Sequence, residues 1–124
     1  MKSLKSYIQE KLIIKKNKSN SYKYFPKTKE ELRDIILQRI RAEGYKVDLN
    51  DIDVSEITDM SDLFRETNFN GDISQWDVSN VTDMTRMFFC CEEFNQDISS
   101  WDISKVTDMQ GMFWGCKEIG RAHV

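Results

Sequence analysis

The chain has 124 residues, one proline, five glycines and 40% hydrophobic residues, enough apolar content for one folded domain and too little Pro and Gly for a collagen-like or low-complexity chain. Its net charge of −3 hides a split: residues 1–47 carry 13 Lys/Arg against 5 Asp/Glu, and residues 48–118 carry 4 against 16. A basic arm therefore precedes an acidic body.

Residues 1–27 hold eight lysines and one glutamate. Leu4, Tyr7, Ile8 and Leu12 stand at helical spacing, so this arm reads either as a short basic amphipathic helix or as a solvated, partly disordered tail touching the acidic body. A role in tethering the chain to nucleic acid or to an anionic membrane is the functional alternative. No nucleic-acid motif accompanies the lysines, so a nucleic-acid partner is not expected. Leu12-Ile13-Ile14, the best apolar run near the start, is too short for a transmembrane span or the core of a secretory signal peptide.

Residues 28–47 read as a capping helix and lead-in. Thr28 and Glu31 have capping-box spacing, Leu32, Ile35, Ile36 and Ile40 make one apolar face, and Gly44 is a natural stop. The spacing predicts a helix over 29–43 that covers one end of the downstream repeats. Tyr45, Val47 and Leu49 alternate and are expected to form a first, degenerate strand.

Residues 48–117 repeat. Ile52-Asp53-Val54-Ser55-Glu56-Ile57-Thr58-Asp59-Met60 returns as Trp76 to Met84 and again as Trp101 to Met109, at steps of 24 and 25 residues. Phe69-Asn70-Gly71-Asp72-Ile73-Ser74 matches Phe94-Asn95-Gln96-Asp97-Ile98-Ser99. A period in this range is the mark of repeated structural units. Apolar steps of two fit a short strand and steps of three a tight helical arc. The expected fold is therefore an α+β repeat protein: a short leucine-rich-repeat-like β-solenoid of about three coils with an N-terminal capping helix. Trp76, Met84, Phe88, Trp101, Met109 and Phe113 are its expected buried repeat positions, a core stripe rather than a cofactor box.

Chemistry-bearing residues are sparse. The only histidine is His123, and no Ser-His, Cys-His, phosphate-loop or zinc pattern can be built. No catalytic residue, metal or cofactor is assigned. Three aspartate columns recur: Asp48, Asp72, Asp97; Asp53, Asp77, Asp102; and Asp59, Asp83, Asp108. Stacked carboxylates need compensation, from backbone amides at bends or from calcium. Cys91 and Cys116 stand one repeat apart, either as two packed thiols or as a disulfide.

The pattern Phe-Asn-x-Asp-Ile-Ser-x-Trp-Asp-Val-Ser-Asn-Val-Thr-Asp-Met-x-x-Met-Phe resembles that of the BspA-like leucine-rich-repeat surface proteins, whose repeats also occur in mycoplasma lipoproteins. Tyr24 to Leu32 resembles the segment that often precedes those repeats. The resemblance implies a curved solenoid, a cell-surface or secreted location with host contact, and no catalytic residues.

Together these features point to a non-enzymatic repeat module for protein or glycan binding, a fragment of a larger surface-type protein. Positions that differ between repeats are the candidate ligand face: Glu56, Asn80 and Lys105, then Asp62, Arg86 and Gly111, then Glu92 and Glu93. The alternative is a structural module tethered through its basic arm. After Lys117 the frame calls for another Phe-Asn-x-Asp-Ile-Ser segment, but the chain reads Glu118 to Val124, and Ile-Gly-Arg-Ala-His-Val resembles the translation of a sequencing adapter. Residues 118–124 are thus expected to be a non-native tail, leaving an uncapped last unit prone to end-to-end self-association.

Overall fold

The structure, a computed structural model, describes residues 22–119. Most of the basic arm, His123 and all but two residues of the expected tail lie outside the described residues.

Helix α1 spans Lys29–Glu43. The Thr28 hydroxyl accepts from the Glu31 amide at 3.2 Å, and the Glu31 carboxylate accepts from the Lys27 amide at 3.0 Å, so both arms of a capping arrangement are filled. Gly44 closes the other end at φ +93°, its amide donating to the Ile40 carbonyl at 2.7 Å. Leu32 and Ile36 are buried, and Ile35 and Ile40 pack partly buried beside them. The helix lies against the first repeat unit through three cations. Lys29 pairs with Asp59 at 3.3 Å, Arg33 donates to the Asp62 carbonyl at 2.7 Å, and Arg39 donates to Asp51 at 2.8 Å. Residues 23–24 run alongside: Lys23 donates to the Asp51 carbonyl, and Tyr24 forms a parallel bridge with Ile52.

The expectation of a leucine-rich-repeat-like β-solenoid is wrong. Among the described residues there is one helix and no strand or sheet; the pairings are isolated parallel bridges, Tyr24–Ile52, Asp59–Asp83 and Asp83–Asp108. The degenerate strand expected at Tyr45, Val47 and Leu49 is likewise absent, although Val47 and Leu49 are buried.

The physical reason lies in the turns. In the second unit the amides of Trp76, Val81, Met87, Cys91 and Phe94 donate to the carbonyls of Ile73, Val78, Met84, Phe88 and Cys91, each three residues back. The bonds from Trp101, Val106, Met112 and Cys116 repeat the pattern in the third unit. Both corner residues of each turn face inward and the two between them face out, so the apolar step of three marks successive β-turns. The step of two between Trp76 and Val78 spans Asp77, whose carboxylate accepts the Ser79 amide at 3.1 Å and bends the chain after two residues. No segment stays extended long enough to become a strand.

Adjacent units nonetheless sit in register. Met60, Asp62, Phe64 and Glu66 donate backbone amides to the carbonyls of Asp83, Thr85, Met87 and Phe89 at 2.8–3.0 Å. Met84, Arg86, Phe88 and Cys90 donate in the same way to Asp108, Gln110, Met112 and Trp114 at 2.7–3.0 Å. Aligning alternate amides in one direction requires left-handed backbone at Asp62, Glu66, Arg86 and Cys90, with φ of 51–59°, and at Gly111 and Gly115.

Register also aligns the rings. Phe64, Phe88 and Phe113 stack at 5.4 and 5.5 Å, Phe69 and Phe94 at 6.3 Å, and Trp76 and Trp101 at 6.4 Å. Trp76, Met84, Phe88 and Trp101 are buried. Phe113 is only partly buried and Met109 is 41% exposed, against the expectation for those two, because among the described residues no further unit follows the third and only Ile119 packs against the core there.

Candidate binding surface

The aspartate columns have a local explanation. Asp48, Asp72 and Asp97 accept the amides of Asn50, Ser74 and Ser99, each at 2.9 Å. Asp53, Asp77 and Asp102 accept those of Ser55, Ser79 and Ser104 at 3.0–3.1 Å, and Asp59 and Asp83 those of Ser61 and Thr85. Each carboxylate caps the amide two residues on, the geometry of an Asx turn. Amide and hydroxyl bonds from Ser74 hold the Asp72 carboxyl below its ordinary range, and the same donors from Ser104 act on Asp102. Among the described residues no three His, Cys, Asp or Glu side chains are grouped to hold a metal ion.

All three cysteines are free. The thiol of Cys91 donates to the Phe69 carbonyl at 3.3 Å and that of Cys116 to the Phe88 carbonyl at 2.9 Å, so the disulfide alternative does not form. Burial pushes the Cys91 thiol up and raises Cys116 to about 11, leaving both poor nucleophiles.

Of the candidate ligand-face positions, Asn80, Lys105, Asp62, Arg86 and Glu92 make bonds between units. Glu56 pairs with Lys27 at 2.5 Å. Asn80 donates to the Ser55 carbonyl at 2.8 Å, and Lys105 donates to the Asn80 side chain at 3.2 Å. Asp62 accepts from Arg86 at 3.1 Å and from Arg65 at 3.3 Å. Burial opposes ionisation of Asp62, but these two guanidinium bonds outweigh it and hold the carboxyl below its ordinary range. Glu92 pairs with Lys117 at 3.4 Å, Glu93 is exposed, and Gly111 supplies a left-handed turn.

A different column reaches the surface, half-buried at its first two members and exposed at the third. Arg65, Phe89 and Trp114 occupy one repeat position, at steps of 24 and 25. The Arg65 guanidinium lies 4.9 Å over the Phe89 ring, and Phe89 stacks on Trp114 at 4.9 Å and 15°. Trp114 is 64% exposed. Beside it, Arg86, Phe89, Gln110, Gly111 and Trp114 line a shallow depression of about 340 Å³. Sequence reasoning missed this column although a signal was present: Phe88 and Phe89 are consecutive, and only one of two neighbouring turn residues can point into the core.

A polar hollow of about 680 Å³ beside α1 is lined by Tyr22, Arg39 and Asp51 among others. Its cation is already engaged, since Arg39 bonds Asp51 and Glu43 and stacks over Tyr24 at 5.1 Å.

Among the described residues this geometry defines a class: a single helix laid against in-register, turn-built units, with a stacked aromatic pair at the surface on one side. The family model described as "Mycoplasma protein of unknown function, DUF285" matches residues 36–122, and the chain belongs to that family. No curated protein and no solved structure matches it. Among the described residues no helix is long and apolar enough to cross a membrane.

Proposed function

We propose that this chain is a non-enzymatic binding module for a protein or a glycan, of the BspA-like surface-protein kind, working at the cell surface or after secretion. The observation that carries the reading is the exposed Trp114 stacked on half-buried Phe89, with Arg65 behind the pair and Arg86 and Gln110 beside it. An exposed tryptophan held rigid by stacking offers a large flat apolar face at little entropic cost, and such anchors dominate binding energy when a partner covers them. Flanking guanidinium and amide groups supply directional hydrogen bonds. The reading is non-enzymatic because the polar side chains that recur are committed to turn capping and cross-unit bonds.

Screening the immobilised full chain against defined glycans and purified proteins tests this. Trp114→Ala leaves the thermal transition in place, since that side chain is mostly exposed, and weakens the bound ligand by about thirtyfold or more, the scale of an interface anchor. Absence of any ligand, or a ligand held equally well by Trp114→Ala, overturns the reading.

A further inference from the structure

One column of turn positions has a gap in it. Asp62, Arg86 and Gly111 recur at steps of 24 and 25 residues, all three in left-handed backbone. Asp62 and Arg86 fill their places with side chains that bond each other, whereas Gly111 has none. A Cβ built at Gly111 would lie 3.3 Å from Cγ of Arg86 and 3.9 Å from a Phe89 ring carbon. The missing side chain is thus what opens the shallow depression beside Trp114.

The groups around that gap are not committed elsewhere. Arg86 donates to Asp62 through Nε, and its two Nη groups make no hydrogen bond among the described residues. The exposed Gln110 side chain makes none there either. Asp59 and Asp83 cap the amides of Ser61 and Thr85, but Asp108, the third member of that column, caps no amide among the described residues. Asp108 is exposed and stands near enough to Arg86 for its charge to act on the guanidinium. Donors, an acceptor and an amide that is both therefore border the rings of Phe89 and Trp114.

Charge narrows what can enter. The bond and charge of Asp62, with smaller contributions from Asp83 and Asp108, hold the Arg86 guanidinium above its ordinary range. Its charge is matched before any ligand arrives, and a further carboxylate, sulfate or phosphate would meet three carboxylates close by. A cation is disfavoured as well. It would enter beside the Arg86 guanidinium, against rings whose stack already carries Arg65.

Size argues against a protein surface. A standard protein interface buries about 800 Å² on each partner around an apolar core. Trp114 is the one large exposed apolar side chain lining this depression.

We propose that the depression at Gly111 is a subsite for an uncharged saccharide, one pyranose ring lying against Trp114 and Phe89 with its hydroxyls bonding Arg86, Gln110 and Asp108. A pyranose carries C–H bonds on a flat face and hydroxyls round its rim, so it meets an aromatic wall and mixed polar groups at once. Each hydroxyl both donates and accepts, which suits Arg86 beside Asp108. Such a subsite presupposes the binding-module reading and commits it to uncharged glycans.

Titration of the full chain tests the proposal, with cellotriose, mannotriose and chitotriose as neutral probes and the trimers of galacturonate and glucosamine as charged ones. The readout is the indole N–H resonance of Trp114, assigned by its loss in Trp114→Phe. At least one neutral trisaccharide shifts that resonance at millimolar concentration and binds about tenfold or more tighter than either charged probe. Gly111→Asp fills the depression, and Asp62 shows that an aspartate is held in this left-handed turn. That variant should abolish the shift while keeping the melting transition and the Trp114 resonance. Gln110→Ala, at an exposed position, keeps the fold in any case and weakens binding about threefold, the scale of one hydrogen bond. No shift with any neutral probe, equal binding of a charged one, or undiminished binding in a folded Gly111→Asp or in Gln110→Ala overturns the proposal. A protein or charged glycan whose binding needs Trp114 overturns it too, and leaves the broader binding-module reading in place.

Discussion

The indole nitrogen of Trp76 donates to the carbonyl oxygen of Leu49 at 2.9 Å, across 27 positions of sequence, and Trp101 makes the same bond to Ile73 at 3.0 Å. Each tryptophan thus joins its unit to the preceding one by both a ring stack and a hydrogen bond. Trp76→Ala removes both and leaves a cavity, at an expected cost of about 3–5 kcal/mol. Trp76→Phe keeps an aromatic surface and removes only the indole bond, leaving the Leu49 carbonyl its second donor, the Ile52 amide at 3.2 Å, so it should cost less, about 0.5–1.5 kcal/mol. Urea titrations of the two variants check this order; a Trp76→Ala midpoint equal to the parent's contradicts the cross-unit stacking.

Cys90 sits in left-handed backbone at φ +54°, where the equivalent residue one unit later is Gly115 at +79°. A side chain in that region costs roughly 1 kcal/mol, which glycine avoids. The intermediate exposure of Cys90 means that losing its thiol sacrifices little packing. Cys90→Gly is therefore expected to be neutral or to stabilise by up to about 1 kcal/mol. Gly115→Ala is the opposite case. Its new Cβ would stand 3.1 Å from the Cys90 sulfur in a strained backbone, and the melting temperature should fall. Melting curves that move in the reverse directions would remove the left-handed assignment.

Acid should unfold the body in a specific window. The carboxyls of Asp59, Asp62, Asp72 and Asp102 lie below their ordinary value of 3.8 in the folded chain. For Asp59, burial works against this and is outweighed by bonds from Ser61 and Lys29. Folded values below unfolded ones mean that the stabilisation is fully present above the unfolded pKa and is lost as pH falls through the folded one. Melting temperature should stay near its plateau down to about pH 5 and fall below about pH 4. Asp62→Asn, which cannot titrate, should have a shallower acid slope; an unaltered slope would show that Asp62 plays no part.

Two levels of the structure were legible in the sequence to different degrees. Thr28, Glu31 and Gly44 mark the ends of α1 because capping and left-handed termination depend on local chemistry. The 24- and 25-residue steps put Trp76 beside Trp101 and Phe64 beside Phe88, because register is set by period. The fold class was not legible in the same way. Trp76 and Val78 alternate like strand residues, and only the capping of Ser79 by Asp77 shows that the chain turns instead. The left-handed positions stayed hidden because Asp62, Glu66, Arg86 and Cys90 are not glycines. The surface stack of Phe89 and Trp114 was not legible because a composition rule places both inside, while the turn that buries Phe88 leaves Phe89 half-buried and Trp114 exposed.

Asp77 separates a turn-capping role from a calcium role for the aspartate columns. Its Oδ1 accepts the Ser79 amide at 3.1 Å and the Ser79 hydroxyl at 2.6 Å. Asparagine keeps an oxygen acceptor at that position, so Asp77→Asn should change stability by about a few tenths of a kcal/mol at most, since both residues serve equally well as amide caps. Asp77→Ala strands the amide and should cost about 1 kcal/mol. Calcium binding predicts the reverse for asparagine, because a hard dication depends on the carboxylate charge that Asn lacks. A ligand that binds only the folded state also raises the melting temperature with concentration. Melting curves of the parent and both variants, with and without millimolar calcium, decide between the two roles. Turn capping gives a parent unmoved by calcium, an Asn variant that tracks it, and an Ala variant displaced by the same amount in both buffers. A calcium-dependent rise in the parent that Asp77→Asn abolishes would assign the column to the ion instead.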